Sequence, residues 1–486
     1  MFNISDTVGA RATVVGSGPN GLTAAAILAT RGWSVDIYEA SSRPGGAASS
    51  ISLFGEGTTV DIGAAAHPFG VVSPAFKELD LLNHGLTWCY SPYPMAHPLE
   101  GTDAVLLEHS VEATAERLGV DNRVWHQVHG HVAQNIGKHL ANILGPTVRW
   151  PKFPLEMAKF GVLAAFPSEQ LAKGLFKEER SRALFVGSSV HSISPPSKMF
   201  TAAFGILFGS LGMTGGWPIA KGGTGAIIDS LIRVVKKHGG KIHYNSSVND
   251  LRELPHSDAI ILNLTAGQVS KIQGLDTPYS VQRRLEHWRY GTAVFKVDYL
   301  LDGPIPWSDH EVGQATTVHV CGTTSEIDRA ERLASRGILP DRPFVMVSQQ
   351  QIADSSRGSP GKHVISTYAH VPNNYIEDYK GQVAKLIENQ IERFAPHFRD
   401  RIISKVETSP QELELLNPNL VGGDIAGGAM HGKQILFRPG ITNKPYKLNS
   451  NIYMASSSTP PGAGVHGMPG YWAAQAAIED LRRNSS

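Results

Sequence analysis

Gly16-Ser17-Gly18-Pro19-Asn20-Gly21 is a G-x-G-x-x-G run between a short apolar segment, Ala12 to Val15, and an alanine-rich one, Leu22 to Thr30. In that setting the chemistry is phosphate binding. Gly16 permits a tight turn, Gly18 admits a pyrophosphate to the backbone, and Gly21 lets the next helix pack close to its strand. A helix starting there offers free N–H groups and a partial positive charge to the phosphates. Glu39 stands 18 residues after Gly21, at the end of a second apolar segment, Ser34 to Tyr38. Its carboxylate suits a ribose diol and repels the extra phosphate of NADP. The loop by itself serves FAD or NAD.

Other reactive types are sparse or scattered. Cys89 and Cys321 are the two cysteines, so no C-x-x-C pair and no zinc spacing exists. That removes dithiol chemistry and is compatible with a reducing compartment. There is no H-E-x-x-H pattern or nucleophile elbow, so neither metal nor hydrolase chemistry is expected. His466, among C-terminal glycines, is a weak catalytic candidate whose alternative is a structural contact. His67, beside Pro68, and Trp217 are candidates for the wall of a substrate pocket, against the commoner fates of turn histidine and core tryptophan. His191, His319 and His370 fall in no pattern.

The elements that must position these groups read as follows. Two strands and the alanine-rich helix form one βαβ unit in under 30 residues. From Ser73 to Met213 the pattern is mostly helical, with proline clusters at Pro92, Pro94 and Pro98, and at Pro146, Pro151 and Pro154, marking loops. Ile227, Ile228, Leu231, Ile232 and Val235 share one face of a helix closed by Gly239-Gly240. Lys241 to Tyr244 and Asp258 to Leu262 read as strands. Four more, starting at Ala293, Thr317, Phe344 and His363, suit an antiparallel sheet. Gly381 to Phe394 reads as an amphipathic helix. Asn451 to Leu481 reads as a strand, a glycine-rich turn and a helix.

Composition agrees with a cofactor-binding globular chain. The 486 residues include 50 glycines, about a tenth against a usual ~7%. Charged residues are 18% and the net charge is +1, so no basic excess points to nucleic acid. Met1 to Gly9 lacks the basic-then-apolar pattern of a secretory leader. Met199 to Ala220 is free of charge, but its apolar part ends near Met213. A helix of about 14 residues is too short to span a ~30 Å hydrocarbon core. It reads as a buried helix or, as the alternative, as an interfacial segment.

Four motifs in order carry a resemblance over nearly the whole chain. Gly16 to Gly21 with Glu39 and Arg43-Pro44-Gly45-Gly46 resembles the glutathione-reductase-type flavoproteins, in the branch of amine oxidases and carotenoid desaturases. Asp61-Ile62-Gly63 is similar to the segment leading towards the flavin there, and Trp217 to Gly223 to the stretch before the amphipathic helix. Ser456 to Gly470 resembles the C-terminal motif of phytoene desaturases, roughly THPGxGxxGxxG. Tyr290 to Trp307 and Asn417 to Gly428 fit the phytoene desaturase-related FAD-dependent oxidoreductases, the type labelled pyridine nucleotide-disulfide oxidoreductase domain-containing protein 2. The "disulfide" of that label has no counterpart here, and Thr459-Pro460-Pro461 lacks the desaturase histidine, which voids any base role for it.

The resemblance implies an α/β fold: a discontinuous Rossmann-type FAD-binding domain (1–75, 215–280, 440–486) with a helical cap (76–214) and a β-rich substrate domain (281–439). It implies cofactor contacts from Gly16, Ser17, Gly18, Pro19, Asn20, Gly21, Glu39, Ala40, Arg43, Gly45, Gly46, Ala47, Val248, Ser456, Gly464, Val465, His466 and Gly467. A helix starting near Val465 or His466 would aim its positive end at the flavin. The expected activity is dehydrogenation of a hydrophobic small molecule, hydride passing to flavin N5, with oxygen or a membrane quinone as acceptor. The alternatives are polyene isomerisation without net redox and a non-catalytic FAD-binding interaction protein. No second dinucleotide loop is present, so bound NAD is not expected. A cytoplasmic location is expected, with peripheral membrane contact through the cap as a second expectation; nothing specifies an oligomeric state.

Overall fold

The computed structural model describes residues 9–485, so most of the stretch read for a leader, residues 1–8, lies outside the described residues. Two sheets organise the chain. The first is five-stranded and wholly parallel, in the order Ile452–Met454, Ala259–Leu262, Arg11–Val15, Ser34–Tyr38, Lys241–His243. Its strands are short apolar runs because helices cover both faces. On one face Val14, Ile37 and Ile261 pack with the helices Pro19–Thr30, Gly225–Lys237 and Met468–Ser485. On the other, Val15, Leu262 and Met454 pack with Ala266, Val269 and Leu285.

The Gly225–Lys237 helix buries Ile227, Ile228, Leu231, Ile232, Val234 and Val235 and carries Lys236 and Lys237 in its last turn, where a helix end favours cations. Gly239, at φ +82°, turns the chain out of it into the edge strand.

The second sheet has seven strands, ordered Ile402–Thr408, Ala293–Leu301, His363–Val371, Val345–Ser348, Ala315–Val320, Tyr93–His97, Val105–Leu107. All neighbours are antiparallel except Ala315–Val320 with Tyr93–His97. Residues alternate strictly. Phe295, Val297, Val318, Val347 and Ala369 face a core closed by the Gln382–Glu392 helix, and Val294, Lys296, Thr317, Met346, Ser348 and Tyr368 face the opposite way.

One expectation changes and another is sharpened. The Ser73 to Met213 stretch is not only helical, because Tyr93–His97 and Val105–Leu107 extend the second sheet. Pro94 sits at the second position of its strand, where a missing N–H is tolerated; the proline cluster read as a loop hid it. The charge-free window forms a helix only over Thr201–Gly212, and most of it is buried, including Ala202, Ile206 and Leu211. Among the described residues no helix is long and apolar enough to cross a membrane.

Candidate dinucleotide and substrate cavity

One cavity of about 930 Å³ runs from the C-terminal ends of the parallel strands to the face of the seven-stranded sheet that carries Val294, Lys296 and Thr317. The first end is where ligands bind in open parallel sheets: strands finish together there and helix N-termini point inward.

At that end Gly16, at φ +91°, makes the turn out of the first strand. Glu39 is held by three donors. Its Oε2 accepts from the Ser17 N–H (2.8 Å) and Ser17 Oγ (2.6 Å), and its Oε1 from the Ser41 N–H (2.8 Å). Ser17 therefore positions Glu39 and does not line the cavity. Asn263, which follows the Ala259–Leu262 strand, satisfies its side-chain amide when assigned with the oxygen towards the N–H groups of Gly18 (3.1 Å) and Gly21 (3.2 Å) and the nitrogen towards the Ala455 carbonyl (2.8 Å), the orientation its neighbours require. A Cβ on Gly18 would lie 2.8 Å from that amide, and one on Gly21 2.1 Å from the Gly16 carbonyl oxygen. Gly21 thus has its expected packing role. Gly18 lines the cavity and also leaves room for Asn263, a residue the motif gave no sign of.

These residues fit a dinucleotide. The Pro19–Thr30 helix starts on the cavity wall with Pro19 in its first turn and no capping side chain from its own N-cap residue; Asn263 takes the Gly21 N–H, and the partial positive charge of the helix end still faces the cavity. Asn20 Oδ1 is buried with no protein partner on the cavity wall. Gly45 and Gly46, at φ +105° and +55°, bring bare backbone to the same wall. Pro19, Ala40, Ala47, Val248, Ser456, Gly464, Val465 and His466 line the cavity as well. Gly21, Arg43 and Gly467 do not, and the Arg43 side chain is exposed.

The C-terminal helix starts at Met468, two or three residues later than expected, because Gly467 takes φ +68°. Gly467 and Gly470 serve helix packing. A Cβ on Gly467 would meet Thr23 Oγ1 at 2.3 Å, and one on Gly470 the Asn20 carbonyl oxygen at 1.8 Å. The helices at the two ends of the chain therefore cross in backbone contact beside the phosphate loop. Gly464, at φ +128°, lines the cavity, but a Cβ there would meet His466 Cδ2 at 2.8 Å. His466 is 1% exposed, and its Nδ1 accepts the Met468 N–H (3.1 Å), closing the turn that starts the helix. Burial lowers its pKa to about 4, so it is neutral at pH 7.

His67 is neutral as well, burial lowering it to about 4. The Thr224 hydroxyl gives its proton to the Ala64 carbonyl (2.6 Å), so His67 Nε2 must donate to Thr224 Oγ1 (2.9 Å). That leaves the Nδ1 lone pair without a partner. Both His67 and Trp217 line the cavity. Trp217 donates from Nε1 to Thr317 Oγ1 (3.0 Å) and packs on Phe208 and His191. His191 Nε2 stands 3.1 Å from His319 Nε2.

The substrate end is apolar, walled by Phe69, Phe160, Phe200, Phe204, Phe208 and Trp217. Lys296 is the exception. It is 6% exposed and paired with Asp298, whose other oxygen accepts from Ser366 Oγ (2.7 Å). Sequence reasoning passed over it, although a lone lysine inside the apolar strand Ala-Val-Phe-Lys-Val was a signal. Among the described residues the only acid on the cavity wall is Glu39, and the cations are Arg149, Lys271 and Lys296.

Behind the cavity, Asp61 is 1% exposed and accepts from Ser50 Oγ (2.6 Å), the Thr224 N–H (2.7 Å), Gln350 Nε2 (2.6 Å) and Arg357 Nη1 (2.7 Å). Burial pushes its carboxyl up, but Arg357 and the other donors outweigh that and hold it below the usual range.

Comparison with known proteins agrees with this geometry. The profile of the family described as flavin containing amine oxidoreductase matches residues 20–468. Pyridine nucleotide-disulfide oxidoreductase domain-containing protein 2 of Rattus norvegicus is 22% identical, the alignment covering 97% of this chain and 94% of that protein. The neurosporene-forming phytoene desaturase of Rhodobacter capsulatus is 24% identical over 94% of this chain and 91% of its own. In structure, cyclohexylamine oxidase from Brevibacterium oxydans superposes with a TM-score of 0.59 at 13% identity, covering 98% of this chain and 99% of that one.

Proposed function

The chain belongs to the flavin containing amine oxidoreductase family, and from that premise we propose that it is a dehydrogenase of an uncharged, apolar small molecule. It is an FAD-dependent oxidoreductase; bound FAD supplies the acceptor for a hydride.

The observation that carries the substrate class is the charge of the cavity wall. An ammonium substrate taken out of water needs a counter-charge. Apart from Glu39, which is committed to Ser17 and Ser41 at the dinucleotide end, the charged residues on the wall among the described residues are all cations. An apolar substrate loses nothing there and gains by the area it buries. The chain's own work is to bind and orient: Phe208 and Trp217 form a rigid aromatic corner, and Thr317 fixes the indole. Lys296 holds an N–H donor at the wall, its chain pinned by Asp298. No histidine on the wall need act as a base if the substrate C–H is already activated. The electron acceptor belongs to the same reading, oxygen or a membrane quinone.

Peripheral membrane contact is part of this proposal, through the apolar stretch from Phe160 to Phe166 and its neighbours. The Thr201–Gly212 helix is buried, whereas Trp150 is 85% exposed, Leu155 77% and Val162 66%, with Phe166 and Met199 also exposed. The Pro154–Ala164 helix shows Leu155, Lys159 and Val162 outward and lines the cavity with Met157, Phe160 and Gly161. An apolar face continuous with an apolar cavity suits a substrate taken from a bilayer.

Anaerobic mixing of the purified flavoprotein with apolar and with polar-amine fractions of a cell extract tests the substrate class. Loss of the flavin's visible absorbance with the apolar fraction is expected. Loss with the amine fraction alone overturns the reading, and product formed without flavin reduction makes the protein an isomerase. Liposome flotation tests the surface: Trp150→Glu/Leu155→Glu should stay at the bottom of the gradient while the parent protein floats.

A further inference from the structure

His131, His139 and Glu156 meet outside the cavity, and we infer that they form a zinc site fastening two helices of its wall. His131 lies in the His131–Gln134 helix and His139 in Ile136–Ile143; Glu156 is in the first turn of Pro154–Ala164. The chain between the histidines is not one regular helix, since Asn135 (φ −113°, ψ 24°) interrupts it. One ligand atom from each residue lies within 4.8 Å of the other two. His131 Nε2 is 2.5 Å and His139 Nε2 3.9 Å from Glu156 Oε2.

The unexplained member is His139. Its side chain is 0% exposed and neither ring nitrogen makes a hydrogen bond, although buried polar atoms are normally satisfied. Its neighbours are the Phe160 ring and the edge of His131. A metal bound to Nε2 gives that nitrogen a partner. Around a tetrahedral ion with bonds of ~2.0–2.1 Å, ligand atoms stand about 3.3 Å apart. The His131–Glu156 pair must open by under about 1 Å, and His139 must close on Glu156 by about half that and on His131 by at most about 1.5 Å. The His131 side chain, 40% exposed, is free to turn that far, and it leaves the fourth position open to water.

The donor set selects the metal class. Calcium and magnesium need several oxygen ligands, and this cluster has one carboxylate with Lys138 and Lys159 close enough to oppose a cation held by charge alone. Two imidazoles and a carboxylate suit zinc. The site would tie the helix ending at Asn142 and Ile143 to the one carrying Met157 and Phe160, all four on the cavity wall.

The test uses the full-length flavin-loaded protein, tag removed, chelator-treated and desalted, then titrated with zinc chloride alone. One zinc per chain should survive a second desalting and raise the melting temperature. His131→Ala and Glu156→Gln, both keeping their flavin, should each lose at least about tenfold in zinc affinity and lose the thermal response. No zinc above blank in the parent protein overturns the proposal. So does equal zinc retention in both variants, which would place the metal on other histidines.

Discussion

Glu39 already accepts three hydrogen bonds from its own chain, so neutralising it removes a charge that both orders the loop and faces the cofactor. Glu39→Gln should weaken FAD by about 1–2 kcal/mol, the scale of a charge-assisted hydrogen bond, read as the dissociation constant after flavin removal and titration. Glu39→Arg should weaken it further; equal affinity would show that no ribose lies there. His466 caps the last helix: it is buried, neutral, and spent on the Met468 N–H. His466→Ala should cost about 1 kcal/mol of stability and leave turnover per bound flavin unchanged. A hundredfold fall in that normalised rate would restore a proton-transfer role.

At the scale of elements, the first and last helices depend on glycine at their crossing. Gly470→Ala pushes a Cβ against the Asn20 carbonyl, and neither backbone can yield without moving the phosphate loop. It should cost ~1–3 kcal/mol and lower flavin content in the purified protein. Gly161 is the control. It lines the cavity, but a Cβ there meets nothing within 4 Å, so Gly161→Ala should keep full flavin and gain up to ~1 kcal/mol of helix stability. Thermal melts and flavin-to-protein absorbance ratios of the pair decide it. If both bind flavin fully, the helix crossing does not support the loop.

For the whole molecule, Asp61 joins three stretches of chain: Ser50 beside it, Thr224 before the amphipathic helix, and Gln350 with Arg357 in the connection between the Val345–Ser348 and His363–Val371 strands of the second sheet. Asp61→Asn takes from Arg357, 1% exposed, the nearer of its two buried carboxylates and leaves Asp354 at 3.7 Å. A loss of about 3 kcal/mol in denaturant unfolding, the low end for a broken buried pair, is expected. Acid stability follows from the buried histidines. Burial lowers His67, His97 and His466 to about 4 and His129 and His191 to about 3, from 6.5. Below 6.5 the unfolded chain takes up protons that the folded chain refuses. Each group therefore destabilises by about 1.4 kcal/mol per pH unit down to its folded value. Asp61, held low, supports the fold above its ordinary value and withdraws that support only at still lower pH. Urea midpoints should be level from pH 8 to 6.5 and fall steeply from 6 to 4.5; a level profile throughout would mean that these histidines are hydrated.

The local chain was enough for whatever rests on period and turn chemistry. The βαβ unit, the Gly225–Lys237 helix and most strands of the second sheet were legible because apolar runs, helical stripes and glycine stops are properties of adjacent residues. So was the dinucleotide chemistry of Gly16 to Gly21 with Glu39, since one strand, turn and helix build it. Tertiary structure decided what needs residues far apart in sequence. Asn263 fills the space beside Gly18 from the neighbouring strand, and Gly470 exists for the first helix, 450 positions earlier. Lys296 became a cavity residue only when alternation in a sheet chose its face. The cluster of His131, His139 and Glu156 has no sequence spacing to betray it, because helix packing and not a loop motif brings the third residue in. A motif is readable when its partners are covalent neighbours; a contact made by packing is fixed by the shape of the whole core, which no single stretch of this chain encodes.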